Sequence, residues 1–256
     1  MEWAYIVPGL VVGILVGATG VGGGSIMTPI LTVGFGIPSG IAVGTDLLFA
    51  ALTKTAGTFA HRIQGSVNWR VVKLLCVGSL PATAGMLLFM KMTGLHGKSA
   101  VIDIGLAIAL IATSTAMLLG ARFKAAAARL RVDDRRKATV ITVIFGAVLG
   151  VLVTLTSVGA GALAATALLV LYPRMPAIKI AGTDIAHAVP LTALAGIGHV
   201  WLGTVNFSLL TGLLVGSIPG IVFGSLIGKR LPETILRRVL ALTLLSVAVI
   251  LLTKRL

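Results

Sequence analysis

Four ionisable side chains stand where the sequence is otherwise oil: Asp46 and Lys54 in VGTDLLFAALTKTAG, and Asp184 and His187 in AGTDIAHAVPLTALAG. An unpaired ion inside lipid costs several kcal/mol, on the order of 3 by insertion scales, so such groups need partners or water. Asp46 and Lys54 are eight residues apart, which places them roughly 80° apart around a helix axis, on neighbouring faces. Asp184 and His187, at i and i+3, adjoin on one face. A lysine held at such depth supplies positive potential for an anion, and the carboxylates, with His187, are groups that could exchange protons as a site changes its access. A plainer reading stands beside this one. Gly-Thr-Asp resembles a helix start, where Thr45 and Asp46, or Thr183 and Asp184, would cap backbone amides, and Asp46 with Lys54 would form a buried pair.

The two clusters are copies. Residues 44 to 81 reappear as residues 182 to 219 at a constant offset of 138, with 13 of 38 positions identical, among them Asp46/Asp184, His61/His199, Asn68/Asn206 and Pro81/Pro219. Lys54 has no counterpart, because Thr192 stands in its place. Duplicated hydrophobic halves are a signature of membrane transporters that hold substrate between the halves.

Each half opens with a hydrophobic stretch interrupted by glycine, GLVVGILVGATGVGGGSIMTPILTVGFG from Gly9 and GAVLGVLVTLTSVGAGALAATALLVLYP from Gly146. Their glycines correspond at offset 137: Gly9/Gly146, Gly13/Gly150, Gly22/Gly159 and Gly24/Gly161. Glycine runs loosen a helix, and amides freed inside a membrane need a protected partner such as a substrate or a water cavity. An anion suits them. The candidate contacts are Thr19, Gly22, Gly23, Gly24 and Ser25 in the first half, and Thr156, Ser157, Val158, Gly159, Ala160 and Gly161 in the second, with Lys54 adding a full charge.

Composition says where these elements sit. With 57% hydrophobic and 11% charged residues and a mean hydropathy of +1.08, the chain cannot enclose its core in a charged surface. The expected fold class is an all-α integral membrane protein. Stretches of the roughly 20 apolar residues that a span requires recur near 41 to 61, 70 to 90, 100 to 120, 178 to 198, 207 to 228 and 235 to 253. The 32 glycines suit close helix packing in lipid. The N-terminus lacks a basic n-region and a small-residue cleavage site, so the first segment is expected to remain in the mature protein.

The net charge of +14 reads as topology rather than a nucleic-acid site, because the Lys and Arg lie in short loops between apolar runs. If each broken segment spans once, the halves run parallel and 12 basic residues fall inside against 8 outside. If each instead enters and returns, three full crossings follow per half, the halves are inverted, and the count becomes 16 against 4. The positive-inside bias favours inverted repeats; an eight-span protein with both ends cytoplasmic is the alternative. The expected organisation is a first repeat over residues 1–120, a basic cytoplasmic linker over 121–137 that faces anionic lipid, and a second repeat over 138–256.

Other chemistries are poorly supplied. Cys76 is the single cysteine, so no intrachain disulfide forms. His, Cys and carboxylates are too sparse for a metal cluster at recognised spacing, no cofactor is expected, and Gly-Val-Gly-Gly-Gly lacks the Lys-Ser/Thr pair of a P-loop. His61 and His199 precede Gly65 and Gly203, then Val-Asn and an aromatic. That pattern signals a turn with an architectural histidine.

Taken in order and doubled, GATGVGGGSIMTPIL with LTSVGAGALAATALL, VGTDLLFA with AGTDIAHA, and HRIQGSVNW with HVWLGTVNF resemble the TauE/SafE family of membrane permeases over nearly the whole chain. The resemblance implies a multi-pass protein of the bacterial inner membrane that exports sulfite, sulfonates or related anions, with a small anionic substrate and the bilayer as partners and a homodimer as an option. The family more commonly carries a small hydroxyl residue where Asp46 and Asp184 stand, which opens both substrate and coupling to change. On this reading half-helix N-termini point at the membrane centre, and one half rocks against the other in proton-coupled transport. A passive anion channel, a carrier of another anion such as a carboxylate, and a helical scaffold are the competing readings.

Overall fold

The computed structural model describes residues 3–19, 24–97, 99–129, 135–228 and 233–253. Among them are ten α-helices and no strand. The first five are α1 (Trp3–Thr19), α2 (Gly24–Pro29), α3 (Ser39–Ile63), α4 (Trp69–Thr93) and α5 (Ser99–Arg129). The second five are α6 (Arg135–Thr156), α7 (Ala162–Leu171), α8 (Ala177–Trp201), α9 (Phe207–Gly228) and α10 (Glu233–Thr253). Helix α2 continues into a single π turn, Ile30–Gly34. Residues 121 to 129 of the expected linker prolong α5, and 135 to 137 open α6.

Five helices are long and apolar enough to cross a bilayer, within Trp69–Thr93, Ala100–Gly120, Arg136–Thr156, Ala177–Trp201 and Phe207–Gly224. The protein is therefore a multi-pass membrane protein. Alkyl side chains such as Val77, Ile108, Ile144, Ile197 and Ile218 are exposed on these helices, as a lipid-facing surface requires. Helix α3 has the necessary 25 residues, but Asp46, Lys54, His61 and Arg62 lower its hydropathy.

Helix ends follow from local chemistry. The Asn68 side chain accepts from the Val71 amide at 3.4 Å and Asn206 accepts from Leu209 at 3.0 Å, so both turn asparagines cap the helix that follows. Gly65 (φ 64°) and Gly203 (φ 73°) supply the left-handed torsion of the two turns. Helix α3 starts at Ser39, earlier than Gly-Thr-Asp suggests, because the Pro38 carbonyl already accepts from the Ile41 and Ala42 amides at 2.9 and 3.0 Å. Asp46 therefore lies inside α3 and cannot cap it.

Helices of the two halves interlock. Gly9 and Gly13 of α1 lie against the backbone of Leu213 and Ser217 of α9, and Gly146 and Gly150 of α6 against Leu75 and Ser79 of α4. In both seams the residue numbers rise together, so the paired helices run parallel. A Cβ at any of these glycines would overlap main-chain atoms of the neighbouring helix, a closeness that small residues permit. Helices α3 and α8 cross differently. Gly44, near the start of α3, meets Thr204 and His199 at the end of α8, while Gly182, near the start of α8, meets Ser66 and His61 at the end of α3. These two repeat-related helices run antiparallel, and α5 packs beside α10.

Candidate functional site

The α3–α8 crossing is fastened by a reciprocal pair of bonds. The Asn206 amide donates to Thr45 Oγ1 at 3.1 Å, and the Asn68 amide donates to Thr183 Oγ1 at 2.9 Å. The threonine of each Gly-Thr-Asp thus receives the turn of the opposite half. The histidines belong to the same joints: His61 Nδ1 bonds Ser66 Oγ at 2.8 Å, and His199 bonds Thr204 Oγ1 through Nδ1 at 2.7 Å and the Thr154 carbonyl through Nε2 at 2.9 Å. Both histidines are architectural, as their turn signal suggests.

Between these joints the ionisable groups are buried, with Asp46 and His187 fully enclosed and Lys54 and Asp184 only 5% and 4% exposed. Lys54 Nζ donates to the carbonyl oxygen of Ala160 in the second glycine break. The ammonium lies within electrostatic reach of both Asp46 and Asp184 and of His187. Lys54 is the positive centre of a cluster drawn from both halves. The break therefore offers the lysine a carbonyl, beside the amides and hydroxyls that the sequence suggests.

Asp46 is held by donors from both halves. Its Oδ2 accepts from the Thr28 amide at 3.2 Å and from Thr28 Oγ1 at 2.6 Å, both in short α2, and from Ser157 Oγ at 3.0 Å. The carboxylate holds the last turn of α2 at Thr28 and ties it to the break of the other half. Ser157 sits at φ 59°, a left-handed torsion for a residue with a side chain, which costs about 1–2 kcal/mol. Its amide bond to the Val153 carbonyl at 2.7 Å and its hydroxyl bond to Asp46 hold it there.

The rest of the second break is partly self-satisfied. The Val158 amide donates to Thr156 Oγ1 at 3.2 Å, and the Gly161 amide to the Gly159 carbonyl at 2.9 Å. Gly159 (φ 115°) and Gly161 (φ 159°) adopt torsions that glycine favours, which accounts for the break at this point. No side chain caps the first turn of α7. On the first break, Gly22 and Gly23 lie outside the described residues, as do the side chains of Thr19 and Ser25; Thr19 closes α1 and Gly24 and Ser25 open α2.

On α8, His187 Nε2 bonds Ser79 Oγ of α4 at 2.9 Å, whereas His187 Nδ1, Asp184 Oδ1, Asp46 Oδ1 and Thr58 Oγ1 are buried without a hydrogen-bond partner. Thr28, Thr58 and Ser79 were not singled out by sequence. Lone hydroxyls in apolar helices carry no signal until a partner is placed beside them. For Ser157, its position beside Gly159 was the only clue.

The family model described as "Sulfite exporter TauE/SafE" matches residues 5–251. The chain belongs to the TauE/SafE family. Its relatives include the probable membrane transporter protein YjnA of Bacillus subtilis, 38% identical over 94% of this chain and 96% of that protein. A probable membrane transporter protein of Xylella fastidiosa is 28% identical over 94% and 91% of the two chains. The probable membrane transporter protein MJ0441 of Methanocaldococcus jannaschii is 26% identical over 94% and 90%. No solved structure matches. This TauE/SafE protein is a membrane transporter, and the Lys54 cluster is its most concentrated buried polar chemistry among the described residues.

Proposed function

We propose that this protein is a secondary transporter, working as an exporter, of small sulfur-containing anions such as sulfite or sulfonates across the bacterial inner membrane, with proton coupling. The observation that carries the reading is the Lys54 ammonium, buried between the repeats, bonded to a glycine break and flanked by two carboxylates.

The charges supply a coupling principle. With Asp46 and Asp184 ionised, the cluster sums to one negative charge and repels an anion; one added proton brings it to neutral, and Lys54 is then free to attract the substrate. Charge interactions are amplified where water is excluded, so anion and proton bind together. The load moves with its charge cancelled, and the combined gradients of anion and proton set the direction. Export follows when the anion accumulates inside. The substrate would lie between α3, α8 and the uncapped start of α7, within reach of Ser157 and Gly159.

The repeats, 1–120 and 138–256 joined by 121–137, are read as inverted. The antiparallel crossing of repeat-related α3 and α8 supports this, since a two-fold axis that reverses a membrane-crossing helix lies in the membrane plane. Short α2 and α7 are then returning arms, and α6, although long enough to cross the bilayer, is the entering arm of the second pair. Because α1 is bound to α9 and α6 to α4, bodies built from helices of both halves, rather than the halves themselves, would rock around the site.

Flux measured in proteoliposomes over sulfite, sulfoacetate, taurine, thiosulfate, sulfate and simple carboxylates tests the function. Saturable flux of a sulfur anion that follows an imposed pH difference is expected. Flux at channel rates without saturation, or saturation by carboxylates alone, overturns the assignment.

A further inference from the structure

The two aspartates occupy equivalent positions in the repeat, yet their surroundings have diverged. Asp46 is held by Thr28 and Ser157. At offset 137 those partners correspond to Ala165 and Gly20, neither of which has a side-chain donor. Both aspartates keep Oδ1 buried and unpartnered, but Asp184 lacks the three donors that hold Oδ2 of Asp46. The position three residues on has changed in the opposite sense: Phe49, a fully buried ring, follows Asp46, whereas His187 follows Asp184. His187 in turn is held through Nε2 by Ser79 and keeps Nδ1 unpartnered.

A carboxylate that accepts three hydrogen bonds is stabilised as the anion and fixed in place. One that is buried without such donors is the readier to take a proton, because a neutral carboxyl costs far less to enclose than an ion. We propose that the repeat-related aspartates have separate tasks: Asp184, with His187 beside it, takes up and releases the coupled proton, and Asp46 is a fixed counter-charge that joins α2 to the second break. The assignment rests on the transport reading above for its purpose, though not for its chemistry.

In the step itself, a hydronium ion gives up a proton to Oδ1 of Asp184: its O–H bond breaks, one forms at Oδ1, a water molecule is left, and the carboxylate becomes a neutral carboxyl. Lys54 loses one of its two negative neighbours and turns to the arriving anion. The groups facing Asp184 are few. Lys54 of α3 is the charged group within reach of it, and His187 follows it on α8; α3 also carries Asp46, His61 and Arg62, α4 carries Arg70, Lys73, Cys76 and Lys91, and α8 carries Lys179 and His199. Between residues 138 and 156 of α6 and throughout α7 there is no titratable side chain.

Infrared difference spectra of the purified full-length protein, recorded between acidic and neutral buffer, read this directly through the carbonyl stretch of a protonated buried carboxyl group. The expected result is a band that is lost in Asp184→Asn and retained in Asp46→Asn. A band that survives in D184N, or no band depending on Asp184 at all, overturns the proposal, as does loss of the band in a folded D46N. Should D46N fail to fold, D184N decides alone. In proteoliposomes, anion flux through D184N should cease to follow the imposed pH difference; flux that still tracks it overturns the assignment. Wild-type protein that shows the Asp184 band but carries none of the anions would sink the transport reading and leave the assignment standing.

Discussion

Lys54 Nζ and the carbonyl oxygen of Ala160, 106 residues apart in sequence, are hydrogen-bonded partners. One bond joins the middle of a helix in the first half to the glycine break of the second. Replacing Lys54 by Met removes the cation of the buried cluster and leaves Asp46 and Asp184 without the charge within whose reach both lie. A hydrogen bond to a charged group contributes about 1.5–3 kcal/mol, so anion affinity in K54M should fall roughly 10- to 100-fold by that measure. Concentration dependence of flux in proteoliposomes checks this. Lys54→Arg should not restore it, because a planar fork of five donors needs more acceptors than one carbonyl provides.

Ser157 permits a separation of torsion from hydrogen bonding. Ser157→Ala keeps a Cβ in the left-handed region and loses the bond to Asp46; Ser157→Gly loses the same bond and releases the torsion. S157G should therefore be more stable than S157A by about 1 kcal/mol, the usual left-handed penalty. Thermal unfolding of the two variants in one detergent reads the difference. Equal melting temperatures would show that the torsion at residue 157 carries no cost.

The glycine seams predict a contrast between positions of one residue type. A Cβ at Gly78 or Gly216 would run into the main chain of α6 or α1, whereas one at Gly85 or Gly120 would meet nothing within 4 Å. Gly78→Ala and Gly216→Ala should each destabilise by about 1–3 kcal/mol, as overpacking does. Gly85→Ala should stabilise by roughly 0.5–1 kcal/mol through helix propensity. A thermal-shift series over the three variants checks the ordering.

How far these relations could be read beforehand follows from their range. The capped turns at Asn68 and Asn206 and the break at Gly159 and Gly161 arise from local torsions and nearest-neighbour bonds, and a repeated motif displays those directly. The repeat also marked Asp46 and Asp184 as special. Their partners were invisible: Ser157 is 111 residues from Asp46 and Thr28 is 18, and only helix packing brings them together. Gly-Thr-Asp looked like a helix start because Thr and Asp cap helices well. In the fold the same residues lie inside helices, where Thr45 and Thr183 receive amides from the opposite half and Asp46 bonds Thr28 of α2.

Those reciprocal joints carry their own prediction. Thr45 Oγ1 accepts the Asn206 amide and Thr183 Oγ1 the Asn68 amide, and valine at either position leaves a backbone N–H without its partner. Each single change should cost about 1–3 kcal/mol, the penalty for an unsatisfied buried donor. The double variant Thr45→Val/Thr183→Val should show nearly the sum, since the joints lie at opposite ends of the α3–α8 crossing. Additive losses in thermal unfolding would mark two independent fasteners. A single large loss in one variant, with none in the other, would show that only one joint bears on stability.

The turns that make those joints also report orientation. In an inverted arrangement the turn at Gly65 and the turn at Gly203, although equivalent in sequence, open on opposite sides of the membrane; in a parallel one they open on the same side. With Cys76 replaced by Ala, cysteines placed singly at Gln64 and Val205 provide the readout. Gln64→Cys should react with a membrane-impermeant thiol reagent from the cytoplasmic side, together with Lys229→Cys, because inversion gathers 16 basic residues there. Val205→Cys should react from the outside. Labelling of Gln64→Cys and Val205→Cys from one and the same side would require parallel halves, and the in-plane axis inferred from the antiparallel α3 and α8 would have to be abandoned.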